Sequence, residues 1–403
     1  MAVRVGDARD AAGDAYRSEW ARVVATLIRI TGDWSLAEDC AAEAFETALS
    51  RWPVDGVPRN PGAWLTTVAK NRALDRLRRA AVLDRKLEEV AAMTELEHLD
   101  AETADVPDDR LRLIFTCCHP ALTMEARVAL TLRTVAGLST AQIARAFLVA
   151  EATVAQRIVR AKRRIAEAGI PYRVPSAESL PARLAGVLAV LYLAFNEGYT
   201  ARSDIADDTI SVTRSLAELM SGEPEVGGLL ALMLLQRSRR DARVRDGELL
   251  TLEQQDRSLW RAADIAEGRA LLGAAARLDR PGPYQLQAAI AAVHATAANA
   301  ESTDWTSIVA LYDRLRSLTP SPVVALNRAI AVGMASGPDA GLAAIDEMAG
   351  ALGSYPWVPA ARADLLRRSG RREEAAQQYR MALAVAPGDE ERRALQRMLD
   401  TLA

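Results

Sequence analysis

The amino-acid sequence predicts an all-α protein made of three parts. Hydrophobic residues make up 50% of the 403 residues, so the chain can bury substantial cores, and its length suits roughly two to three domains. Alanine, leucine and arginine dominate the composition, which favours helices. Apolar residues also recur at helical spacing along most of the chain, with turn signals between the segments.

Charge and cysteine content exclude several classes of protein. The net charge of −3 excludes a uniformly basic chain, so nucleic-acid binding would have to depend on local clusters. Few cysteines and no secretory signal predict a reducing, cytoplasmic location. The longest apolar run, residues 184–195, is predicted to be too short to span a membrane. The "CCH" at 117–119 cannot close a tetrahedral site alone, so we expect no metal ion.

The first part, residues 1–83, is predicted to form three helices. Its first helix has apolar residues at helical spacing over 17–30. Ser35 and Glu38 have the spacing of a capping box at the start of the second. Asn60 followed by Pro61 is typical of an N-cap and first turn, and predicts where the third helix begins.

Two breaks divide the rest of the chain. Residues 84–110 are charged and weakly periodic, which predicts a linker. A second helical unit is predicted over 111–170, and a proline-containing stretch at 169–181 marks the next boundary. Everything after it, 171–403, is predicted to be helical.

The C-terminal part contains a candidate repeat. Gly370, Ala375, Tyr379, Ala382 and Pro387 have the spacing of the small, aromatic and proline positions in a 34-residue helix-turn-helix repeat. Looser versions of the pattern precede it, which predicts about three tetratricopeptide-like units over about 289–389. An irregular helical bundle is the alternative that the sequence leaves open.

Residues 138–165 contain two short amphipathic segments joined by a tight turn. Ser139 and Gln142 predict a capping box for the first segment. The second carries one polar and basic face, on which amide groups suit base edges and arginines further along suit phosphates. A solvated surface hairpin is the alternative explanation. The predicted DNA-contacting residues are Thr153, Gln156, Arg157, Arg160 and Arg164.

A second basic cluster lies on the helix that begins near Ala63. An aromatic ring, an amide and several cations on one helix suit single-stranded DNA with an unstacked base. Trp64 could instead belong to the core. The candidate residues for this contact are Trp64, Thr67, Lys70, Asn71, Arg72, Asp75 and Arg78.

The preceding helix has the opposite charge. Four acidic residues are predicted to project beside an aromatic ring, and such a stripe would repel DNA. It therefore suits a protein partner better, although an ordinary solvated face explains the charges equally well. The residues are Glu38, Asp39, Glu43, Phe45 and Glu46.

In this order the segments resemble the extracytoplasmic-function sigma factors of bacterial RNA polymerase. "GDWSLAEDCAAEAFETAL" is similar to region 2.1–2.2, which binds the β′ clamp helices. "NPGAWLTTVAKNRALDRLRR" is similar to region 2.3–2.4, which melts and reads the −10 element. "LTLRTVAGLSTAQIARAFLVAEATVAQRIVRAKRRI" is similar to region 4, which reads the −35 element. The resemblance implies polymerase core, through the β′ clamp helices and β flap, and promoter DNA as partners.

The resemblance extends beyond these regions. "DDRLRLIFTCCHPAL", "LAVLYLAFNEGY", "RPGPYQLQAAIAAVHA" and "PSPVVALNRAIAV" are similar to the subgroup with a long C-terminal tetratricopeptide-type extension. It implies a region 2 helical bundle, a region 4 helix-turn-helix domain and a helical repeat domain. We expect the extension to regulate the sigma core in cis. The candidate contact, which could instead be internal core, consists of Tyr192, Phe195, Asn196, Glu197 and Tyr199.

The sequence carries no sign of catalysis. It has no phosphate-binding glycine loop and no nucleophile–base constellation, so we expect neither an enzyme nor a cofactor. A free-standing helix-turn-helix regulator with a repeat-domain sensor is the second hypothesis, and a tetratricopeptide scaffold is the third. Residues 35–80 discriminate between them, because neither alternative needs an acidic docking helix beside a strand-capturing one. Whether a separate anti-sigma factor exists is left open.

Overall fold

The computed structural model describes residues 5–84, 109–200, 204–245, 248–348, 357–386 and 388–402. These residues form eighteen α-helices, two 3₁₀ turns and one short antiparallel hairpin, in which Val244–Arg245 pairs with Glu248–Leu249. The all-α prediction is confirmed. The chain divides into two compact units, Met1–Leu219 and Met220–Ala403.

The first unit begins with helices α1 (Val5–Thr31), α2 (Trp34–Asp55) and α3 (Pro61–Asp84). The apolar residues that recur at helical spacing in α1 are buried: Trp20, Val23, Val24, Leu27 and Ile28.

The starts of α2 and α3 follow local capping chemistry. The predicted capping box of Ser35 and Glu38 is wrong, because Asp33 is the N-cap of α2 and its carboxylate accepts from the N–H groups of Ser35 and Leu36. The predicted start of α3 is confirmed, since the Asn60 side chain accepts from the Ala63 N–H.

Helices α4 (Asp109–Cys117), α5 (Met124–Thr134), α6 (Thr140–Ala146) and α7 (Glu151–Glu167) follow. Nearly all of the predicted 84–110 linker lies outside the described residues.

The turn between α6 and α7 joins the two helices of a helix-turn-helix and contains no glycine. The capping box of Ser139 and Gln142 is present in both directions, as predicted. Ala150 caps α7 without any side-chain hydrogen bond. Leu148 adopts a φ of 50°, a left-handed conformation that costs a residue with a Cβ roughly 1–2 kcal/mol. The tertiary packing of the two helices therefore outweighs unfavourable turn chemistry.

Two further helices, α8 (Leu180–Thr200) and α9 (Ile205–Leu219), belong to the first unit. The division of the chain thus differs from the boundary expected near 171, because α8 packs on α4, α5 and α9. Gly198 permits the close α8–α9 contact, since a Cβ there would lie 2.5 Å from the Ala206 nitrogen.

Helix α8 is longer than its apolar run suggested. Among the described residues it is the one helix long and apolar enough to cross a membrane by length and composition, a test that the core helix of a folded domain also passes. Its buried residues are those of a core helix: Leu184, Val187, Leu188, Val190, Leu191, Ala194 and Phe195.

The second unit is a series of helices that pack on their neighbours in sequence. Buried Ala375, Tyr379 and Ala382 lie on one face of the seventeenth helix, and Gly370 ends the helix before it with a φ of 78°. Pro387 lies outside the described residues, and the tetratricopeptide assignment stays a prediction. The helices are α10 (Pro224–Arg237), α11 (Ala262–Ala276), α12 (Pro283–Thr296), α13 (Trp305–Leu318), α14 (Pro322–Ser336), α15 (Pro338–Glu347), α16 (Val358–Arg368), α17 (Arg372–Val385) and α18 (Asp389–Asp400).

Candidate nucleic-acid interface

Helix α7 has one buried and one exposed face. Val154, Ile158, Ala161 and Ile165 anchor it to the unit. On the opposite face Gln156, Arg160 and Arg164 are exposed, whereas Thr153 and Arg157 are half-buried. The geometry therefore leaves an amide and two guanidinium groups open along the helix.

Arg157 and α8 line the same cavity. The cavity has a volume of about 160 Å³, and its wall includes Phe147 of the turn and Leu193 and Glu197 of α8. The helix that follows the proline-containing boundary therefore shares this cavity with the predicted recognition helix.

The predicted −10 residues share a surface on α3. Thr67, Asn71, Asp75 and Arg78 are exposed, and their spacing of three or four residues places them on one helix face. Trp64 is half-buried and packs edge-on against Trp52 at 5.6 Å between ring centroids. Lys70 and Arg72 are half-buried as well. The surface thus combines an amide, a hydroxyl, a cation and the carboxylate of Asp75, which pairs with Arg79, with Trp64 at its border.

The acidic stripe on α2 is smaller than predicted. Asp39 and Glu46 are exposed, and half-buried Glu43 accepts from the guanidinium groups of Arg72 and Arg76 on α3. Part of the charge of Glu43 is therefore neutralised within the protein.

Two members of the predicted stripe do not project to solvent, which corrects the sequence-based expectation. Phe45 is buried in contact with the rings of Tyr16 and Trp20, at 5.0 and 6.0 Å between centroids. Glu38 is buried with only 6% of its surface exposed. Both face the interior of the unit because α1 and the later helices cover that side of α2.

Glu38 is the centre of a polar network that joins α2 to α5 and α7. The Thr134 hydroxyl donates to its carboxylate at 2.9 Å, the Lys162 ammonium lies at 3.2 Å and the Arg133 Nε at 3.6 Å. The roles of Arg133, Thr134 and Lys162 were missed from the sequence. No local signal could reveal them, since Glu38 and Thr134 are 96 residues apart.

Other hydrogen bonds join helix α1 to α5 and to the turn that follows α5. The Trp20 indole donates to the Thr134 carbonyl at 3.1 Å, and the Tyr16 hydroxyl donates to the Gly137 carbonyl at 2.6 Å. Gly137 has a φ of 75° and a Cβ there would meet both rings at 3.0 Å, so glycine is needed at this turn. Burial raises the pKa of Tyr16, which keeps its phenol protonated as a donor.

Two further contacts join α1 to residues at the two ends of the segment α4–α7. Arg29 pairs with Asp109 at 2.7 Å, and the Tyr172 hydroxyl donates to the Ala25 carbonyl at 3.0 Å. Helices α1–α3 and α4–α7 are therefore held together in one closed unit.

The vicinal cysteines belong to the core. Cys117 and Cys118 are buried, and burial raises the pKa of Cys118 to about 11 and that of Cys117 well above its ordinary value. Such thiols stay protonated and unreactive near neutral pH. Within the described ranges no three His, Cys, Asp or Glu side chains are arranged to hold a metal ion.

Known families match three parts of the chain. Residues 15–82 match sigma-70 region 2, residues 112–165 match sigma-70 region 4, and residues 183–276 match a family of unknown function, DUF6596. The first match covers the helices with the acidic and single-strand-binding candidates. The second covers α4 to α7, and the third begins on α8.

Two relatives extend the comparison. An uncharacterized protein of Rhizobium meliloti is 43% identical over 396 residues, which cover 95% of this chain and 93% of that protein. A probable ECF RNA polymerase sigma factor of Mycobacterium tuberculosis, SigI, is 30% identical over 173 residues, 42% of this chain and 59% of its own length. No solved structure gives a significant match.

A helical region 2, a helix-turn-helix region 4 and their order define a promoter-specificity subunit of the sigma-70 type. A free-standing helix-turn-helix regulator is not favoured, because region 2 accounts for residues 15–82. The chain belongs to the extracytoplasmic-function sigma factors and carries a long helical C-terminal extension. It binds RNA polymerase core and promoter DNA, and directs transcription initiation.

Proposed function

We propose that the C-terminal extension regulates this sigma factor in cis, with α8 as the part that contacts region 4 and residues 220–403 acting through the chain that joins them to α8. The observation that carries the proposal is the shared cavity, in which Leu193 and Glu197 of α8 lie with Arg157 of the recognition helix. Run-off transcription by the full chain and by the chain truncated after Leu219 tests the proposal.

Promoter geometry requires the closed unit to open. The −10 and −35 promoter elements are centred about 25 base pairs apart. On straight B-DNA, at 3.4 Å per base pair, their centres lie ~85 Å apart. The predicted recognition helix α7 has 17 residues and is only ~25 Å long, and its Lys162 pairs directly with Glu38 of region 2. Regions 2 and 4 in contact cannot reach both elements together. We therefore interpret the closed arrangement as the resting state.

The extension is needed for activity in this proposal, because α8 is part of the packed unit. Arg183 of α8 donates to the Phe115 carbonyl at 2.6 Å, and α8 also packs on α5. A covalently attached helix acts at a high effective concentration, so modest contacts suffice. Removal of α8 would uncover α4 and α5, which argues against a purely inhibitory role.

We assign roles to the exposed and half-buried residues on the same basis. Thr153, Gln156 and Arg157 near the start of α7 read the −35 element, and Arg160 and Arg164 bind phosphates. The α3 surface binds the −10 strand, with the half-buried Trp64 ring at its border as the group on which a base stacks. Asp39, Glu43 and Glu46 dock on the β′ clamp helices, while region 4 contacts the β flap. The protein acts in the cytoplasm and is not an enzyme.

Substitutions on α7 should separate base reading from phosphate binding. We expect Gln156→Ala and Arg157→Ala to change the preference among −35 sequences, because one good base contact contributes ~1–3 kcal/mol of discrimination. Arg164→Ala should weaken binding evenly across sequences. It should also reduce by about 1 the slope of the logarithm of the binding constant against the logarithm of the salt concentration. Binding of region 4 variants to a −35 library at several salt concentrations measures both effects. Unchanged preference in Gln156→Ala and Arg157→Ala would show that this face does not read bases.

Charge reversal on α2 tests docking on polymerase. We expect Asp39→Lys with Glu46→Lys to lower affinity for core by at least about tenfold, because both carboxylates are exposed on the docking face. Glu43 is left intact, since its reversal would also release Arg72 and Arg76. The control is Asp10→Lys with Asp14→Lys, an equal charge change at exposed positions of α1. Pull-down of core at wild-type level by the α2 variant would contradict the docking assignment.

A further inference from the structure

The second unit contains a cavity of about 390 Å³, which lies outside the two segments that match sigma-70 regions 2 and 4. It lies among α13, α14, α16, α17 and α18 and the segment that precedes α11. Cavities of this size hold small molecules in many proteins. The cavity therefore needs an explanation apart from DNA and polymerase.

Apolar groups form most of the cavity wall. Trp305, Trp357, Ile330, Leu395 and Met398 line it, and they belong to three separate packed clusters of the unit. The cavity thus lies where three clusters meet without filling the space between them. Two indole rings favour a flat apolar or aromatic ligand, and a methionine thioether adapts to its shape.

Several charged residues at the cavity neutralise one another. Arg368 pairs with Glu253 at 2.6 Å and with Asp364 at 2.7 Å, and Arg367 pairs with Asp364 at 2.6 Å. The Arg368–Glu253 pair connects α16 with the segment before α11, and the other two pairs lie within α16. They leave little net positive charge for a strongly charged anion.

Arg257 is different from the other lining arginines. Its Nη1 donates to the carbonyls of His294 and Ala297, both at 2.7 Å, but its buried Nη2 has no hydrogen-bond partner. Within the part of the chain that the structure describes, no carboxylate forms an ion pair with it, although Glu301 is near enough to favour its charge. A buried donor without an acceptor is unfavourable. The guanidinium lies over the Trp260 ring at 4.6 Å from its centroid, and a small rotation of the side chain would bring Nη2 to a ligand acceptor in the cavity.

We propose that this cavity binds a small monocarboxylic acid with a flat aromatic body, whose carboxylate accepts a hydrogen bond from Arg257. The guanidinium fork matches a carboxylate in shape and charge. A phosphate or polyanion fits less well, because Glu253, Asp364 and Glu391 also line the cavity. The aromatic body lies between the apolar walls that include Trp305 and Trp357.

Calorimetric titration of the full-length protein with 2-naphthylacetate and with its neutral analogue 2-(2-naphthyl)ethanol tests the proposal. We expect the acid to bind at least about tenfold more tightly than the alcohol, because a hydrogen bond to a charged group is stronger than one between neutral groups. Arg257→Gln should remove this preference, while Arg269→Gln, at an exposed position of α11, should keep it. Equal affinity for acid and alcohol, or a preference that survives in Arg257→Gln, would overturn the proposal.

A second variant locates the site even if Arg257→Gln fails to fold. Ala394 lines the cavity and is half-exposed, so Ala394→Trp should fill the space without breaking the core and should abolish binding of both compounds. Ala270→Trp, at an exposed position of α11, is the matched control and should bind like the wild type. Circular dichroism checks the fold of each variant. Binding by Ala394→Trp at wild-type affinity, or no binding by the wild type, would exclude this cavity as the site.

Discussion

The Glu38→Lys variant is expected to shift the free protein from the closed to an open arrangement of regions 2 and 4. The Glu38 carboxylate lies between Lys162 and Arg133 and accepts from Thr134. Removing one partner of a buried ion pair costs about 3–5 kcal/mol, because the remaining charge loses its compensation. Lys162 keeps 18% of its side chain exposed, so we expect about 3 kcal/mol, or a factor of ~100 in the closed-to-open ratio.

Fluorescence energy transfer between two dyes measures this opening. Val54→Cys and Leu148→Cys give attachment sites on α2 and in the α6–α7 turn, with 83% and 90% exposure, whereas Cys40, Cys117 and Cys118 are buried. Glu38→Lys should lower transfer in the free protein.

Two controls distinguish opening from a general effect of charge. Asp39→Lys makes the same charge change one residue away on an exposed side chain and should leave transfer unchanged. Adding Lys162→Glu to Glu38→Lys restores opposite charges and should recover part of the closed population. If Glu38→Lys keeps wild-type transfer, the Glu38 network does not hold the closed unit together.

Truncations at two positions should give opposite results for stability. A chain ending after Leu219 retains α8 and α9 and should stay folded, because it coincides with the first compact unit. A chain ending at Pro175 loses α8, whose apolar side chains each contribute ~1.5–3 kcal/mol when fully buried. We expect its melting temperature to fall by roughly 10 °C or more, with aggregation, since several such residues are lost. Thermal unfolding followed by circular dichroism compares the two.

The chain ending after Leu219 also tests regulation. We expect it to transcribe at least about fivefold more weakly than the full chain with purified core, the lower end of typical coupling between sites. Its folded state, shown by the same melting curve, excludes loss of structure as the cause. Transcription equal to that of the full chain would mean that residues 220–403 serve another partner. A folded Pro175 chain with normal activity would instead remove α8 from the mechanism.

Much of the local structure follows from the sequence alone. The capping box of Ser139 and Gln142 and the cap at Asn60 depend on side chains within three residues, so spacing is enough to predict them. The exposed face of α7 and the buried Ala375, Tyr379 and Ala382 follow from helical periodicity, because one apolar face must be covered. The regions that bind DNA and polymerase are continuous segments, which is why motifs identify them.

Packing between distant segments sets which of the polar residues are exposed and able to contact a partner. Glu38 has the spacing of a capping residue, yet its carboxylate turns to Lys162, Arg133 and Thr134, since buried charges are stable only when paired. Phe45 joins the core because α1 covers it. These contacts join residues that are distant in the chain. Periodicity reports that a face is apolar or charged, but not which other face will meet it.

The same reason explains the division of the chain. Prolines at 171 and 175 mark a break in local structure, and a domain boundary was expected there. Helix α8 nevertheless packs back on α4 and α5, because an apolar helix of 21 residues needs a surface to cover it. That α8 is a helix and that it is apolar follows from its residues alone. Which helices it covers, and hence its place beside the recognition helix, depends on packing between segments that no local pattern records.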